Sequence, residues 1–516
     1  MLLASCFALL TSCQFRVPKD PFTFIDSIPA DPDSLNPIIS IDSMQTGINR
    51  LIYESLIKLD NTTLKPRPLL AKSWMISKDH LQYTFYLRND VFWHDGMKFM
   101  ADDVLYTFEQ IRNPNVDAAA ARVDLQMVDK FEKLDDYTVR FTFKKPDYKG
   151  ILFVGMIRII PKHVFDNGSD FNSHPAGRYP VGTGPYRFVE WRTGKHIILE
   201  RNESYWGERP DIKRVVHKII SDSNATFQVL KKGELDVGTL RPIQWARQAD
   251  TKEFNSRFNK HEYYLPICTF IGWNLERPFF KDRRVRTALT HLINREGIKK
   301  KMTLGKSKVL TSCFDINDPE YNNNIQPYPY NPEYAKRLLT EAGWVDHNGD
   351  GILDKDGVSF QFALLYGGGD AASTRMLTII REDLEHAGIV MDIQGLEGAT
   401  LYQQVIERKF GALISGWVNT PNSDPYQIWH SSQINGGSNF IGFSNKEFDE
   451  LLIKARQEFD DNKRIAMYHR MQEILHEEQP YTFLFAPASL VAIDKRFSNV
   501  KVYPRGISMI EWIVKQ

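Results

Sequence analysis

Cysteine is scarce in this chain: four among 516 residues, at positions 6, 13, 268 and 313, with no two in a Cys-x-x-Cys spacing. That excludes paired-thiolate metal sites, and the spacing alone does not say whether Cys268 and Cys313 pair. An excess of one charge sign is also missing. Lys plus Arg number 65 against 64 Asp plus Glu, a formal +1, so there is no electrostatic footprint for nucleic acid or an acidic membrane surface. The apolar opening, residues 1–10, falls far short of the ~20 residues that span a bilayer. No Lys or Arg precedes it, as one would in an ordinary secretory signal.

Catalytic signatures are missing in turn. His476-Glu477-Glu478 lacks the second His that a zinc-protease helix places four residues after the first. Gly305-Lys306-Ser307 mimics the end of a phosphate loop, but Lys300 stands where the first Gly is needed. Gly182 and Gly184 lack the third Gly of a dinucleotide turn, and Pro185 would abort the helix on which the phosphate rests. No Gly-x-Ser-x-Gly elbow occurs. The chain therefore reads as a binding protein, without enzymatic function and without a cofactor.

What is present is a large globular chain. Its length predicts two or three units. With 12% aromatic residues, it is rich in flat rings suited to holding organic solutes. In residues 68–112, Leu81, Tyr83, Phe85 and Leu87 alternate as a half-buried strand. Trp93-His94-Asp95-Gly96 reads as a turn, and Val104, Leu105, Phe108 and Ile111 follow at helical spacing behind the first-turn acids Asp102 and Asp103. Residues 22–28 and 137–144 read as further strands. A helix face is predicted over 47–59 from Ile48, Leu51, Ile52 and Ser55, and an amphipathic helix over 283–294 with Arg284 and Arg286 on its solvated side. Asp346, Asn348, Asp350 and Asp354, with Gly351, have calcium-loop spacing, but Gly357 stands at the twelfth position where a bidentate Glu belongs, so no metal is assigned.

Several of these pieces together resemble the extracellular solute-binding proteins of family 5, the oligopeptide, dipeptide and nickel receptors of ABC importers. The matching motifs are Leu70-Ala71-Lys72-Ser73-Trp74, Phe85-Tyr86-Leu87-Arg88, the Trp93 turn, Ala101-Asp102-Asp103-Val104, the Asp31 to Pro37 loop, Tyr53-Glu54-Ser55-Leu56, Pro180 to Tyr186, Arg201 to Trp206 and Glu234-Leu235-Asp236-Val237. Met100 departs from the Thr or Ser cap usual before the Ala-Asp-Asp-Val helix, a loss of roughly 0.5–2 kcal/mol.

The resemblance implies an α/β two-lobe periplasmic-binding-protein fold of type II, in the large peptide-receptor subclass. Lobe I would comprise residues 14–270 plus 482–516 with a subdomain inserted at about 57–179, and lobe II residues 271–481. It implies a monomeric receptor that captures a peptide or small polar organic solute and passes it to an ABC permease and its ATPase. Receptors of this fold for nickel chelates, opines or sugars, or a hydrolase with acids in the cleft, are the alternatives. Leu10-Thr11-Ser12-Cys13 resembles a bacterial lipobox, which implies a signal peptide over 1–13, a lipidated Cys13, and a periplasmic or cell-surface protein held to the membrane by that lipid. In the peptide branch an Asp three residues past the Gly-Trp pair meets the ligand ammonium. Here that position is Thr420, with Asn419 and Asp424 as open substitutes. Trp417 is the expected pocket floor, with Asp424, Tyr426, Trp429, Asn435 and Asn439 as neighbouring candidates.

Overall fold

The computed structural model describes residues 20–515 apart from 40–42 and 422; the expected signal segment and Cys13 lie outside the described residues. Alternating side chains build the first sheet. Thr23–Ile28 buries Phe24 and Ile28 and runs parallel to Arg214–Ile219, and His196–Arg201 and Tyr186–Arg192 extend the sheet antiparallel. A second four-stranded antiparallel sheet joins Ala71–Ile76, Gln82–Leu87, Thr138–Phe143 and Val128–Asp135 in that order. Its inward residues Tyr83, Phe85, Leu87, Val139, Phe141 and Phe143 are buried. The helix Ala101–Arg112 lies over that face, with the Phe108 and Phe141 rings 4.6 Å apart. Its missing cap is partly made good: the Asp103 carboxylate reaches back to accept the Met100 N–H at 2.9 Å.

The sequence motifs turn out to meet one another. His94 accepts the Gly182 N–H on Nδ1 at 3.2 Å, so Nε2 carries the proton and donates to the Gly184 carbonyl at 3.0 Å. Burial holds this ring at a pKa of about 4, well below the ordinary imidazole value. Gly182 and Gly184 serve close approach: a Cβ at 182 would stand 1.9 Å from the Ile52 carbonyl oxygen. Glu54 accepts from Tyr205 Oη at 2.7 Å and Trp206 Nε1 at 2.9 Å, and burial pushes its carboxyl up to about 7.

Two expectations are corrected here. The helix predicted over 47–59 is Ser43–Ile52, followed by a strand at Ile57–Leu59. The Ile52 carbonyl takes the Gly184 N–H at 2.8 Å instead of continuing the helix, and the turn lets Glu54 reach its two ring partners. In the helix Arg283–Leu292, Arg284 is exposed, but Arg286 is 4% exposed and buried against the end of Asp461–Glu478. Its guanidinium donates to the carbonyls of Phe280, Lys281 and Glu478 and to the Glu478 carboxylate at 2.8–3.0 Å. Four acceptors offset a burial that an unpaired charge would not tolerate.

Two strands carry the chain between the remaining sheets. Phe258–Tyr264 pairs with Phe485–Asp494, and only Leu265 and Pro266 separate it from Ile267–Trp273, which belongs to a five-stranded sheet ordered Val390–Leu396, Gln361–Gly367, Ala412–Val418, Ile267–Trp273, Tyr481–Phe483. Tyr481–Phe483 steps back through Leu484 into Phe485–Asp494 beside it. The two crossings are fastened together. Thr269 O accepts the Leu484 N–H at 2.8 Å, while Thr269 Oγ1 donates to Phe485 O at 2.9 Å and accepts Phe485 N–H at 3.0 Å. Beside them, Asp236 accepts the Ile25 N–H and meets Arg496 Nη2, each at 2.7 Å. One apolar core gathers residues 24–215 with Val491, Ile493, Phe497, Trp512 and Val514; two others occupy residues 268–486 on the far side of the crossings.

Cys268 and Cys313 form a disulfide that closes a loop of sequence separation 45 onto the first crossing strand. The chain-entropy model gives such a loop about 4 kcal/mol of stabilisation at 25 °C. The paired Cys268→Ser, Cys313→Ser protein is therefore expected to lose roughly 2–4 kcal/mol in denaturant unfolding, with reductant then without further effect. An unchanged midpoint would contradict the bridge.

Candidate functional site

A cavity of about 580 Å³ opens between residues 123–153 on one side and residues 313–320 and 417–438 on the other, within the ~300–1,000 Å³ range of small-molecule sites. The strand Ala412–Val418 delivers one wall. It pairs with the crossing strand so that Trp417 stands opposite Cys268, and it runs from a buried start at Ala412 and Leu413 to an exposed end at Val418. Trp417 belongs to a cluster of near-parallel rings, with Phe440 at 6.4 Å and Phe270 at 6.1 Å from it and Tyr481 at 3.9 Å from Phe270. The cavity wall is thus continuous with the crossings.

Of the residues singled out from sequence, Trp417, Asn419, Asp424, Tyr426 and Trp429 line this cavity. Asn419 already donates Nδ2 to Cys313 O at 3.1 Å, and its own carbonyl accepts from Arg505 Nη1 at 2.8 Å. Asp424 pairs with Arg456 Nε at 3.1 Å and accepts the Tyr426 N–H at 2.9 Å. The Arg456 guanidinium sits 4.7 Å above the Tyr426 ring. Asn435 lies on an exposed turn away from the lining. Asn439 is fully buried, its Nδ2 donating to the carbonyls of Trp429, His430 and Phe443 and its Oδ1 accepting the Phe443 N–H; that side chain holds the loop together. The Asp346 loop turns its carboxylates inward as well, Asp346 taking the Gly349 and Gly351 N–H groups and Asp354 taking His347.

Sequence reasoning missed the charges. Lys149, Asp315, Asp318, Glu320, Arg456 and Arg505 all line the cavity. Only the Asp315 and Asp318 turn beside Cys313 carried any local signal. The others come from segments whose convergence no spacing encodes. At one end the segment Asp147-Tyr148-Lys149 docks across the cavity. Arg456 Nη2 is 3.2 Å from Asp147, Tyr148 Oη meets Tyr468 Oη at 3.0 Å and Glu320 at 3.2 Å, and the Lys149 ammonium donates to Ser423 O. Nearby His80 stacks on Phe459 at 3.7 Å. At the other end Arg505, on the C-terminal hairpin Val502–Tyr503 and Gly506–Ile507, faces Asp315 at 3.2 Å and Asp318 at 3.4 Å.

Desolvation wins over pairing at both ends. Burial, reinforced by the Asp424 charge, raises the Asp147 carboxyl to about 6 even though Arg456 opposes the shift. Burial also raises Asp315, and burial together with Asp315 raises Asp318. A carboxyl whose folded pKa lies above its unfolded value favours the folded state below the unfolded pKa and loses that contribution as pH rises through the folded one. For Asp147 the window runs from about 4 to about 6. The stability of the native protein relative to Asp147→Asn is accordingly expected to fall by on the order of 3 kcal/mol between the acid and neutral ends of that window in chemical denaturation; parallel curves would contradict it.

Residues 65–439 match the family described as bacterial extracellular solute-binding proteins, family 5 Middle. The oligopeptide-binding protein AppA of Bacillus subtilis is 32% identical over 94% of this chain and 90% of its own length. The solved structure of AppA with a nonapeptide aligns with a TM-score of 0.79 at 30% identity, covering 96% of this chain and 99% of that one. NikA from Brucella suis, solved with Fe(III)-EDTA, aligns at 0.85 with 26% identity, covering 96% of this chain and all of that one. The shared architecture is the type II periplasmic-binding fold. Among the described residues no helix is long and apolar enough to cross a membrane. The chain belongs to the bacterial extracellular solute-binding proteins of family 5, whose members bind solutes and are not enzymes.

Proposed function

We propose that this protein is the receptor of an ABC importer that traps a peptide or similar polar organic solute and delivers it to a membrane permease and its ATPase. The observation that carries this reading is the cavity itself: about 580 Å³, walled from both sides of the paired crossings and lined by opposed charges and rings. Residues 14–270 with 482–516 act as one lobe and residues 271–481 as the other. They close over solute by hinging at residues 264–267 and 483–485, with the solute supplying the differential affinity that favours the closed form. Cys13, in its lipobox-like setting, is the attachment point of a lipid that keeps the receptor at the membrane. Extended peptides hydrogen-bond through their backbone, leaving side chains in wet pockets that tolerate variety.

A ligand at 100 times its dissociation constant adds about 2.7 kcal/mol to stability. Native mass spectrometry of the purified protein is expected to show retained peptide, and peptides of two to ten residues are expected to raise the melting temperature. Shifts given by heme, opines, sugars or nickel chelates, with none from peptides, would replace the peptide reading with one of those alternatives.

A further inference from the structure

We propose that Asp315 and Asp318 form a cation subsite in this cavity, taking a primary ammonium or guanidinium group of the captured solute. The proposal rests on the receptor reading above and adds the chemistry of what is held. Asp315 is buried, its side chain 3% exposed. One carboxylate oxygen accepts the Asn317 N–H at 3.0 Å. The other, Oδ2, has no hydrogen bond, although Arg505 Nη2 stands at ion-pair distance from it. Asp318 Oδ2 accepts from the same Arg505 nitrogen at 3.4 Å. One nitrogen therefore serves two carboxylates. The remaining Arg505 groups do not correct the balance, since Nη1 is spent on Asn419 O and Nε is buried without a partner.

The rest of the lining gives the pair no further direct partner. Arg456 is shared between Asp147 and Asp424, Glu320 is engaged by Arg464 and Tyr148, and Lys149 donates to Ser423 O, its charge reaching Asp318 only through space. Asp315 Oδ2 has the Arg505 charge at 3.2 Å but no directed hydrogen bond, and a cationic donor that approaches the pair adds the directed contact that Arg505 does not make. Organic cations fit better than a metal ion. Among the described residues no three His, Cys, Asp or Glu side chains converge as metal ligands, whereas an ammonium needs only two or three acceptors. Both open substitutes for the family's ammonium-binding Asp are occupied elsewhere, Asn419 on Cys313 O and Asp424 on Arg456. The acid pair sits next in line on the loop that the disulfide holds against the crossing strand.

The test is calorimetric titration of the full protein, stripped of carried solute, with trialanine, N-acetyl-trialanine and the small cation agmatine. Trialanine or agmatine is expected to bind, with N-acetyl-trialanine weaker than trialanine by roughly tenfold or more, the worth of a charge-assisted hydrogen bond. Asp315→Asn, and the more exposed Asp318→Asn as a second variant in case the first unfolds, are each expected to lose a similar factor for the cations and little for the acetylated peptide. Binding of agmatine without either peptide would sink the peptide reading while leaving the subsite standing. Equal affinity for free and acetylated peptide, undiminished cation affinity in a folded variant, or no binding of any cation at millimolar concentration would overturn the subsite.

Discussion

The structure hangs on the clasp at Thr269, where two strands crossing between sheets are hydrogen-bonded side by side to Leu484 and Phe485. A single crossing would leave two bodies free to twist about a flexible link. Two adjacent crossings restrict relative motion to bending about one line, which is what the proposed opening and shutting on solute requires. The cavity walls are fixed to this line. Trp417 is in register with Cys268, Asn419 donates its backbone N–H to Pro266 at 2.7 Å, and the disulfide draws Cys313, with Phe314 and Asp315 after it, onto the same strand. Fold and cavity are therefore one construction.

Charge decides how that cavity behaves. Carboxylates are placed where water is largely excluded, and their pKa values rise despite neighbouring arginines because desolvation outweighs pairing at Asp147, Asp315 and Asp318. Such an arrangement contributes little net stability. In the proposed receptor its value is selectivity: a solute must bring complementary polar groups or leave buried ones unpaired. Trp417 adds flat apolar surface to the lining without adding charge, and Phe270, Phe440 and Tyr481 pack behind it.

Much of the scaffold was legible because its signals are local. The alternation of Tyr83, Phe85 and Leu87 and the helical spacing of Val104, Phe108 and Ile111 need only the period of the element. Their motifs identified the family because they are mutual contacts: His94 needs Gly182 and Gly184, and Glu54 needs Tyr205 and Trp206. Where a long-range partner overrode local pattern, reading failed. Gly184 ended a helix at Ile52, and Glu478 drew Arg286 inside. Of the cavity lining, only the stretch 417–429 was legible. Lys149, Arg456 and Arg505 come from three distant segments, and Asn439 looked like a ligand group because sequence cannot show that both ends of an amide are already bonded.

The central claim is that one body bends against another about the paired crossings to enclose a solute and release it unaltered. Small-angle X-ray scattering of the protein stripped of solute and then resaturated with the material recovered from it tests this most directly. The account predicts a smaller radius of gyration on resaturation, with the recovered solute chemically unchanged after release. An identical scattering curve in both states, or a solute returned in transformed form, would contradict it.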